Sequence, residues 1–178
     1  MKALFMPKDE RTEESGRDRI VESTRQTRPP DAARYPQMPC VAVGAVVFKN
    51  EHVLLVRRGK APSHGQWAIP GGSVVLGETL QQAAEREILE ETGIHIVAGK
   101  PVYVFDVVDR DSEGWVRYHY VIIDLDATYQ GGELRPGDDA LEARWVAAHE
   151  LNGLDVSRPT RQLLYHRYDF GKKGVRDV

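Results

Sequence analysis

The chain has 178 residues, and its 24 lysines and arginines against 27 aspartates and glutamates give a formal net charge of −3 at pH 7. Hydrophobic residues make up 41% of the chain and charged residues 29%, which is close to the averages for globular domains and excludes a collagen, a coiled-coil rod and a fully disordered protein. The length suits one ordinary domain with some chain left over, and the slightly negative charge argues against sequence-independent binding of nucleic acid.

The sequence also bears on compartment and membrane contact. A single cysteine, Cys40, excludes a disulfide within the chain and fits a reducing compartment. No run of residues approaches the ~20 apolar residues of a membrane span, and the first residues lack the apolar core of a secretory signal. We therefore expect a cytoplasmic protein that does not contact a membrane.

The first 37 residues differ in composition from the rest of the chain. Over residues 8–28 charged residues of both signs predominate, and Ile20 and Val21 form the only pair of branched aliphatic residues. Such a segment cannot offset the entropy that it loses on ordering. We therefore divide the chain into a polar arm or tail, residues 1–37, and a folded domain, residues 38–178. An arm that docks on a second copy of the chain would give a homodimer.

The folded domain begins with strands. Residues 41–48 and 52–56 are two β-rich runs separated by a short polar turn, which is typical of a β-hairpin. The later pattern predicts further strands at 67–69, 94–108 with a break near 99–101, 115–125 and 143–146, and helices at 147–151 and 158–168. Strands and helices interspersed in this way indicate an α/β fold with a mixed sheet covered by helices.

The clearest helix is predicted over residues 79–92. Thr79 is a suitable N-cap, Gln82 stands three residues later as in a capping box, and Gly93 is a suitable C-terminal stop. These signals predict both ends of the helix from local sequence.

Three glutamates share one side of this helix. At about 100° per residue, Glu87, Glu90 and Glu91 fall on the side that also carries the small apolar residues. Like charges three and four residues apart repel each other. The group is therefore either a solvated acidic face or a set of oxygen ligands for a hard divalent cation, since Mg²⁺ takes a few carboxylates together with water and substrate phosphates.

The residues around this helix form an extended motif. Gly72 is followed after five residues by Glu78, and after seven more by a run that starts at Arg86. The motif resembles the signature of the Nudix hydrolases, whose fixed positions are all matched, by Gly72, Glu78, Arg86, Glu87, Ile88, Glu90, Glu91, Gly93 and Ile94. The resemblance covers about residues 39–151 and implies an α/β/α sandwich with the mixed sheet between helices. Val75 stands where many relatives carry a glutamate.

The resemblance implies a metal site on the loop, helix and loop of the motif. Arg86 is expected to orient Glu87 or Glu90 by a charge-assisted hydrogen bond. Glu78 is either a partner of these side chains or a cap of the helix. The implied ligands of Mg²⁺ or Mn²⁺ are three carboxylates and one backbone carbonyl, those of Glu87, Glu90, Glu91 and Gly71.

The general base implied by the resemblance is either an acid of the motif or an acid on a later loop. We rank Glu87 first and Asp139 second. Asp138, Glu133 and Glu142 are further candidates in the segment before the last strand. For each of the loop acids, a solvated surface charge is the alternative.

Four residues outside the motif are candidates for contact with the substrate. Arg57 and Arg58 end the second strand and suit contact with phosphate, but only one of them can face the site because neighbours in a strand point to opposite faces. Trp67 is either a core residue or a stacking partner of a nucleobase. His119 is either packed within its strand or turned towards the site.

The resemblance implies metal-dependent hydrolysis of a nucleoside diphosphate linked to another group. We expect ADP-ribose as the substrate and AMP and ribose 5-phosphate as products, because the first strand, the hairpin around residues 109–120 and the polar arm resemble the ADP-ribose pyrophosphatase-like branch. The alternatives are a house-cleaning nucleoside triphosphate pyrophosphohydrolase, an RNA 5′-pyrophosphohydrolase and, from another class, a non-catalytic nucleotide sensor. The expected partners are a small nucleotide substrate and a second copy of the chain, and not nucleic acid.

Overall fold

The computed structural model describes residues 35–137 and 139–172. Most of the predicted arm, residues 1–34, and the base candidate Asp138 lie outside the described residues. Within the described ranges the chain forms seven strands and two α-helices, in the order β1 (Cys40–Lys49), β2 (His52–Arg58), β3 (Trp67–Ala68), β4 (Gly71–Ser73), α1 (Leu80–Thr92), β5 (Ile94–Arg110), β6 (Val116–Gly132), β7 (Ala140–Ala147) and α2 (Arg158–Tyr168).

The strands form one mixed sheet with β1 near its centre. The strand order is β3-β2-β1-β6-β5, with β4 also paired to β1 and β7 also paired to β2. The β1–β6 pair is parallel, whereas the other pairs are antiparallel. The predicted α/β class with a mixed sheet is confirmed. The turn between β1 and β2 has left-handed residues, Asn50 and Glu51, at φ of 48° and 61°, which matches the twist of a two-residue hairpin.

Each face of the sheet carries one helix and one apolar core. Alternate residues of β1 point to opposite faces. On one face Val43, Ala45 and Val47 pack with α1 through Ala84 and Ile88. On the other face Val46 belongs to a core with Trp67 and the α2 residues Leu163 and Leu164. The architecture is therefore the expected sandwich of a sheet between helices.

Helix α1 has the ends that the sequence predicts. The Thr79 hydroxyl accepts a hydrogen bond from the N–H of Gln82 at 3.2 Å, and the Gln82 side chain accepts one from the N–H of Thr79 at 2.9 Å. Gly93 ends the helix in the left-handed region at φ 71°, and its N–H donates to the carbonyl of Leu89. The predicted capping box and glycine stop are confirmed.

Several boundaries differ from the prediction. No strand is predicted at residues 71–73, where the structure has β4. This strand can lie against β1 because Gly71 has no side chain, and a Cβ atom there would overlap the Val43 carbonyl of β1. Strand β5 continues through residues 99–101 with shifts in register, and β6 continues to Gly132. The helix predicted at 147–151 is wrong. A short 3₁₀ helix, Leu151–Gly153, follows instead. The helix predicted at 158–168 is confirmed as α2.

A local carboxylate replaces the expected helix after β7. The side chain of Glu150 accepts hydrogen bonds from the N–H of Ala147 at 2.9 Å and from Arg144 at 2.8 Å. The N–H of Glu150 also donates to the carbonyl of Ala147 at 3.0 Å, so the chain makes a single turn here and no α-helix. Among the helices of the described segments, none combines the length and the apolar character that crossing a membrane requires.

Gly93 is the position at which the backbone most clearly requires glycine for α1 to end. We expect Gly93→Ala to lower the free energy of unfolding by about 2 kcal/mol, because the residue has a positive φ and a Cβ atom would lie 2.5 Å from the Glu133 carbonyl oxygen. Urea denaturation measures the change. The control is Gly153→Ala, where nothing lies within 4 Å of the added Cβ atom and where we expect a change below about 0.5 kcal/mol. Equal values for the two variants would contradict this explanation.

Candidate active site

Arg86 connects the carboxylates along one side of α1. Its Nε and Nη2 atoms donate hydrogen bonds to the two carboxylate oxygens of Glu78, at 2.7 and 2.9 Å. Its Nη1 atom donates to Glu87 at 2.8 Å and to Glu90 at 3.2 Å. Nη2 also donates to the carbonyl oxygen of Ser73 at 3.1 Å. One guanidinium therefore offsets the repulsion between three neighbouring carboxylates.

Glu78 is held by Arg86. The hydrogen bond from Arg86, together with one from the N–H of Val75, lowers the pKa of Glu78 from 4.5 to about 2. The same ion pair, with a second contact from Glu87, raises the pKa of Arg86. Because Thr79 caps α1, Glu78 is a partner of the guanidinium and not the cap of the helix.

Two consecutive glycines in β4 bring the backbone close to the carboxylates of α1. The N–H of Gly71 donates to Oε2 of Glu91 at 2.9 Å. A Cβ atom on Gly72 would overlap the carboxylate of Glu87. Glycine is therefore required for the loop before α1 to approach the acidic side of the helix this closely.

Glu91 is the buried member of the acidic group, with 8% of its surface exposed. Burial raises its pKa from 4.5 to about 7, while the hydrogen bond from Gly71 and the positive charge of Arg58 oppose the shift. Strongly shifted carboxyl groups in a cleft are typical of functional sites, because positive charge brought by a ligand stabilises their ionised form.

The acidic side chains line one open cleft. This cleft has a volume of about 450 Å³ and is lined by Glu87, Glu90, Glu91, Gly137 and Asp139. Within residues 35–137 and 139–172, no three acidic, histidine or cysteine side chains converge closely enough to enclose a metal ion. Four carboxylates in one cleft are nevertheless the donor set that a hard divalent cation prefers, so the residues fit such an ion.

A second cavity continues from the same carboxylates across the sheet. It has a volume of about 370 Å³ and shares Glu87, Glu91 and Asp139 with the acidic cleft. Arg58 and Lys60 supply positive charge to it. The remaining wall lies on β1, the link between β3 and β4, β5, β6 and the start of α2. It is largely apolar and aromatic, with Ala42, Ile69, Phe105, Val107, Tyr120, Ile122 and Pro159. A concave site with few charged groups and apolar walls suits a nucleotide-sized ligand.

The structure brings only one of the four residues expected to contact substrate into this cavity. Arg58 lines it, whereas the Nε atom of Arg57 donates to the carbonyl of Gly65, on the turn that follows β2. Trp67 is 6% exposed and lies in the core with α2. His119 does not line the cavity and its neighbour Tyr120 does, because successive strand residues face opposite sides. Arg57, Trp67 and His119 therefore lie outside the lining of this cavity, and contact of any of them with a substrate stays a prediction.

The candidates for the general base differ in where they lie relative to the cleft and the cavity. Glu87 faces both the acidic cleft and the cavity. Asp139 faces both as well, but its exposed carboxylate forms an ion pair with Lys60. Glu133 and Glu142 line neither space. The geometry therefore keeps Glu87 ahead of Asp139.

The sequence analysis missed one acid of the cavity wall, Asp124. It lies on β6 with 4% of its surface exposed, and burial raises its pKa from 3.8 to about 7. The signal was an acid that follows an apolar run of the strand, two residues after Ile122 and four after Tyr120. This spacing puts the three side chains on one face, but only the sheet pairing shows that this face lines the cavity.

Two proteins with assigned activities are similar to this chain in sequence. The chain is 40% identical over 116 residues to an ADP-ribose pyrophosphatase of Methanocaldococcus jannaschii, a match that covers 65% of this chain and 64% of that protein. It is 31% identical over 128 residues to an 8-oxo-dGDP phosphatase of Homo sapiens, covering 69% of this chain and 37% of that protein. The chain thus spans less than two thirds of the length of either relative.

A solved structure and a family model both bear on the family of this chain. The crystal structure of a MutT Nudix hydrolase from Burkholderia pseudomallei superposes with a TM-score of 0.60 at 29% identity, covering 74% of this chain and 99% of that one. A model of the NUDIX domain matches residues 38–167. This match includes the whole of the motif, α1 and the carboxylates that Arg86 joins. The chain therefore belongs to the Nudix family.

Proposed function

We propose that this protein is a metal-dependent pyrophosphohydrolase that cleaves ADP-ribose to AMP and ribose 5-phosphate. The observation that carries the proposal is that Glu87 and Glu91 line both an acidic cleft and a nucleotide-sized cavity. A divalent ion and a nucleotide would therefore meet at the same two side chains. The name of the 40% identical archaeal relative supports ADP-ribose as the substrate.

The acidic cleft is where a divalent cation would be held. Its ligands would be drawn from Glu87, Glu90, Glu91 and Asp139, with the backbone carbonyl of Gly71. When bound, Mg²⁺ or Mn²⁺ supplies positive charge that neutralises phosphate oxygens and lowers the pKa of water. Glu91 suits this position because its carboxylate accepts a hydrogen bond from the N–H of Gly71, which holds it against β4.

The side chains around the cleft position the substrate and move one proton. Arg58 and Lys60 bind phosphate oxygens at the rim of the cavity. Glu87 takes a proton from the water whose oxygen attacks one phosphorus, the new P–O bond forms, and the bond to the bridging oxygen breaks. The bridging oxygen leaves with the other phosphate. Arg86 is a positioning residue, since its Nη1 atom fixes the Glu87 carboxylate at 2.8 Å.

The alternatives differ in the group beyond the pyrophosphate. A nucleoside triphosphate or the 5′ end of an RNA would give a different product from the same cleft, and a sensor would bind a nucleotide without cleaving it. The human relative is named for 8-oxo-dGDP, a nucleoside diphosphate with no second sugar. A substrate panel therefore decides between these activities.

The homodimer and the arm of residues 1–37 stay proposals, and light scattering tests the dimer.

The first prediction concerns the metal and the carboxylates. We expect Mg²⁺-dependent release of AMP from ADP-ribose in preference to nucleoside triphosphates, 8-oxo-dGDP and 5′-triphosphate RNA, and loss of that activity in EDTA. Glu87→Gln and Glu91→Gln should each lower kcat by roughly 100-fold or more, because each removes an ionised oxygen donor from the cleft. Glu113→Gln, on the turn between β5 and β6, is the matched control and should keep the wild-type rate. Turnover that persists in EDTA would rule out the metal site.

The second prediction concerns Arg86. We expect Arg86→Lys to lower kcat by roughly 10- to 100-fold and to raise the Mg²⁺ concentration needed for half-maximal rate, because a lysine cannot hold Glu78, Glu87 and Glu90 with one planar group. Rates measured across a Mg²⁺ titration test this. Arg144→Lys, which alters an ion pair with Glu150 outside the cavity, is the control. An unchanged Mg²⁺ dependence in Arg86→Lys would show that the guanidinium does not position the ligands.

A further inference from the structure

Asp124 is a buried acid with a defined place in the sheet. In β6 it shares a face with Tyr120 and Ile122, and all three line the cavity. Its partner on β1 is Gly44 and its partner on β5 is Tyr103. The acid therefore lies in the middle of the sheet and not at its edge.

The neighbouring glycine makes room for this carboxyl group. A Cβ atom on Gly44 would overlap Oδ1 of Asp124. Gly44 in turn pairs with Gly71 of β4, whose N–H contacts Glu91. Asp124 is therefore two strand spacings from Gly71, on the order of 10 Å. A nucleoside attached to a pyrophosphate at the acidic cleft would extend over this distance.

The carboxyl group of Asp124 has no partner in the described part of the chain. No hydrogen bond to it is found there, and burial alone raises its pKa. Among the described residues, the single buried side-chain atom that is both sealed from solvent and unpaired is the hydroxyl of Tyr168. The oxygens of Asp124 are therefore not sealed in the core, and they open into the cavity that the residue lines.

An unpaired buried acid destabilises a folded protein, because the group loses its hydrogen bonds to water without replacement. The other charged residues of the cavity wall are accounted for by the proposed function. Glu87, Glu91 and Asp139 face the acidic cleft. Arg58 and Lys60 line the cavity and would bind the phosphates of the proposed substrate. Of the residues that the structure describes, Asp124 is the one acidic or basic residue of the cavity wall to which the proposed function gives no role.

We propose that Asp124 binds a neutral hydrogen-bond donor of the nucleoside, either a ribose hydroxyl or an N–H group of the base, and so selects the moiety next to the pyrophosphate. The inference rests on the proposed function for the position of the pyrophosphate. A phosphate group is disfavoured beside an acid in an apolar wall. The nucleoside is therefore directed towards Asp124 and the phosphates towards Arg58 and Lys60.

The test measures AMP binding by calorimetry in EDTA, so that binding is separated from turnover. We expect Asp124→Leu to weaken AMP binding by ~10-fold and Asp124→Asn, which keeps an acceptor oxygen, to weaken it less. Asp126→Asn is the control, since Asp126 is the next residue on the same face of β6 and does not line the cavity. The Tm of Asp124→Leu should stay the same or rise, because an unpaired buried acid is removed.

Analogues of AMP identify the donor. Wild type should bind one of three analogues, 2′-deoxy-AMP, 3′-deoxy-AMP or purine riboside 5′-phosphate, ~10-fold more weakly than AMP. Asp124→Leu should lose that discrimination. If Asp124→Leu no longer prefers AMP over a deoxy analogue, the donor that Asp124 binds is a ribose hydroxyl. If it no longer prefers AMP over purine riboside 5′-phosphate, the donor is the amino group of the base.

The outcomes separate this inference from the proposed function. If wild type binds AMP with discrimination that Asp124→Leu loses, the role of Asp124 stands even where the substrate panel gives no hydrolysis. If wild type hydrolyses ADP-ribose but Asp124→Leu binds AMP and every analogue as wild type does, the inference is overturned and the proposed function stands. A marked fall in Tm in Asp124→Leu, or failure of wild type to bind AMP, also overturns the inference.

Discussion

The concentration of negative charge on one side of α1 is the constraint on which the site depends. Glu87, Glu90 and Glu91 lie on α1 and Glu78 lies just before it. Four carboxylates this close would destabilise the structure by their repulsion if nothing compensated them. Arg86 meets three of them with one planar group, which a flexible ammonium could not do. The fourth, Glu91, is buried and is held by a backbone N–H. The charge is thus balanced only in part, which leaves the cleft suited to a cation.

Glycines allow the carboxylates of α1 to lie close to the sheet. Gly71 and Gly72 let β4 lie against β1 on one side and against the α1 carboxylates on the other. Gly44, on the neighbouring strand, makes room for Asp124. The missing side chains at these three positions therefore allow backbone and carboxyl groups of the site to approach each other closely. The apolar wall on β5 and β6 then extends the site beyond the reach of the carboxylates.

Local signals predicted the part of the structure that local contacts determine. The capping box and Gly93 fix α1 through neighbours in sequence, and the spacing of the motif places its acids on one side of that helix. Strand β4 could not be predicted in the same way, because it exists only through pairing with β1. The faces of Arg57 and His119 depend on strand register, which alternation alone leaves open between two choices. Asp124 was missed for the same reason.

The central claim is that the carboxylates of the acidic cleft bind a divalent cation. Direct titration with Mn²⁺, followed by the electron paramagnetic resonance signal of the free ion, tests this claim without any substrate. We expect wild type to bind Mn²⁺ at the acidic cleft, and Glu87→Gln and Glu91→Gln each to weaken that binding by ~10-fold or more, because each replaces an anionic oxygen donor by a neutral amide. Glu113→Gln should bind as wild type does. Binding of equal strength in wild type and in both cleft variants would contradict the assignment of the metal site.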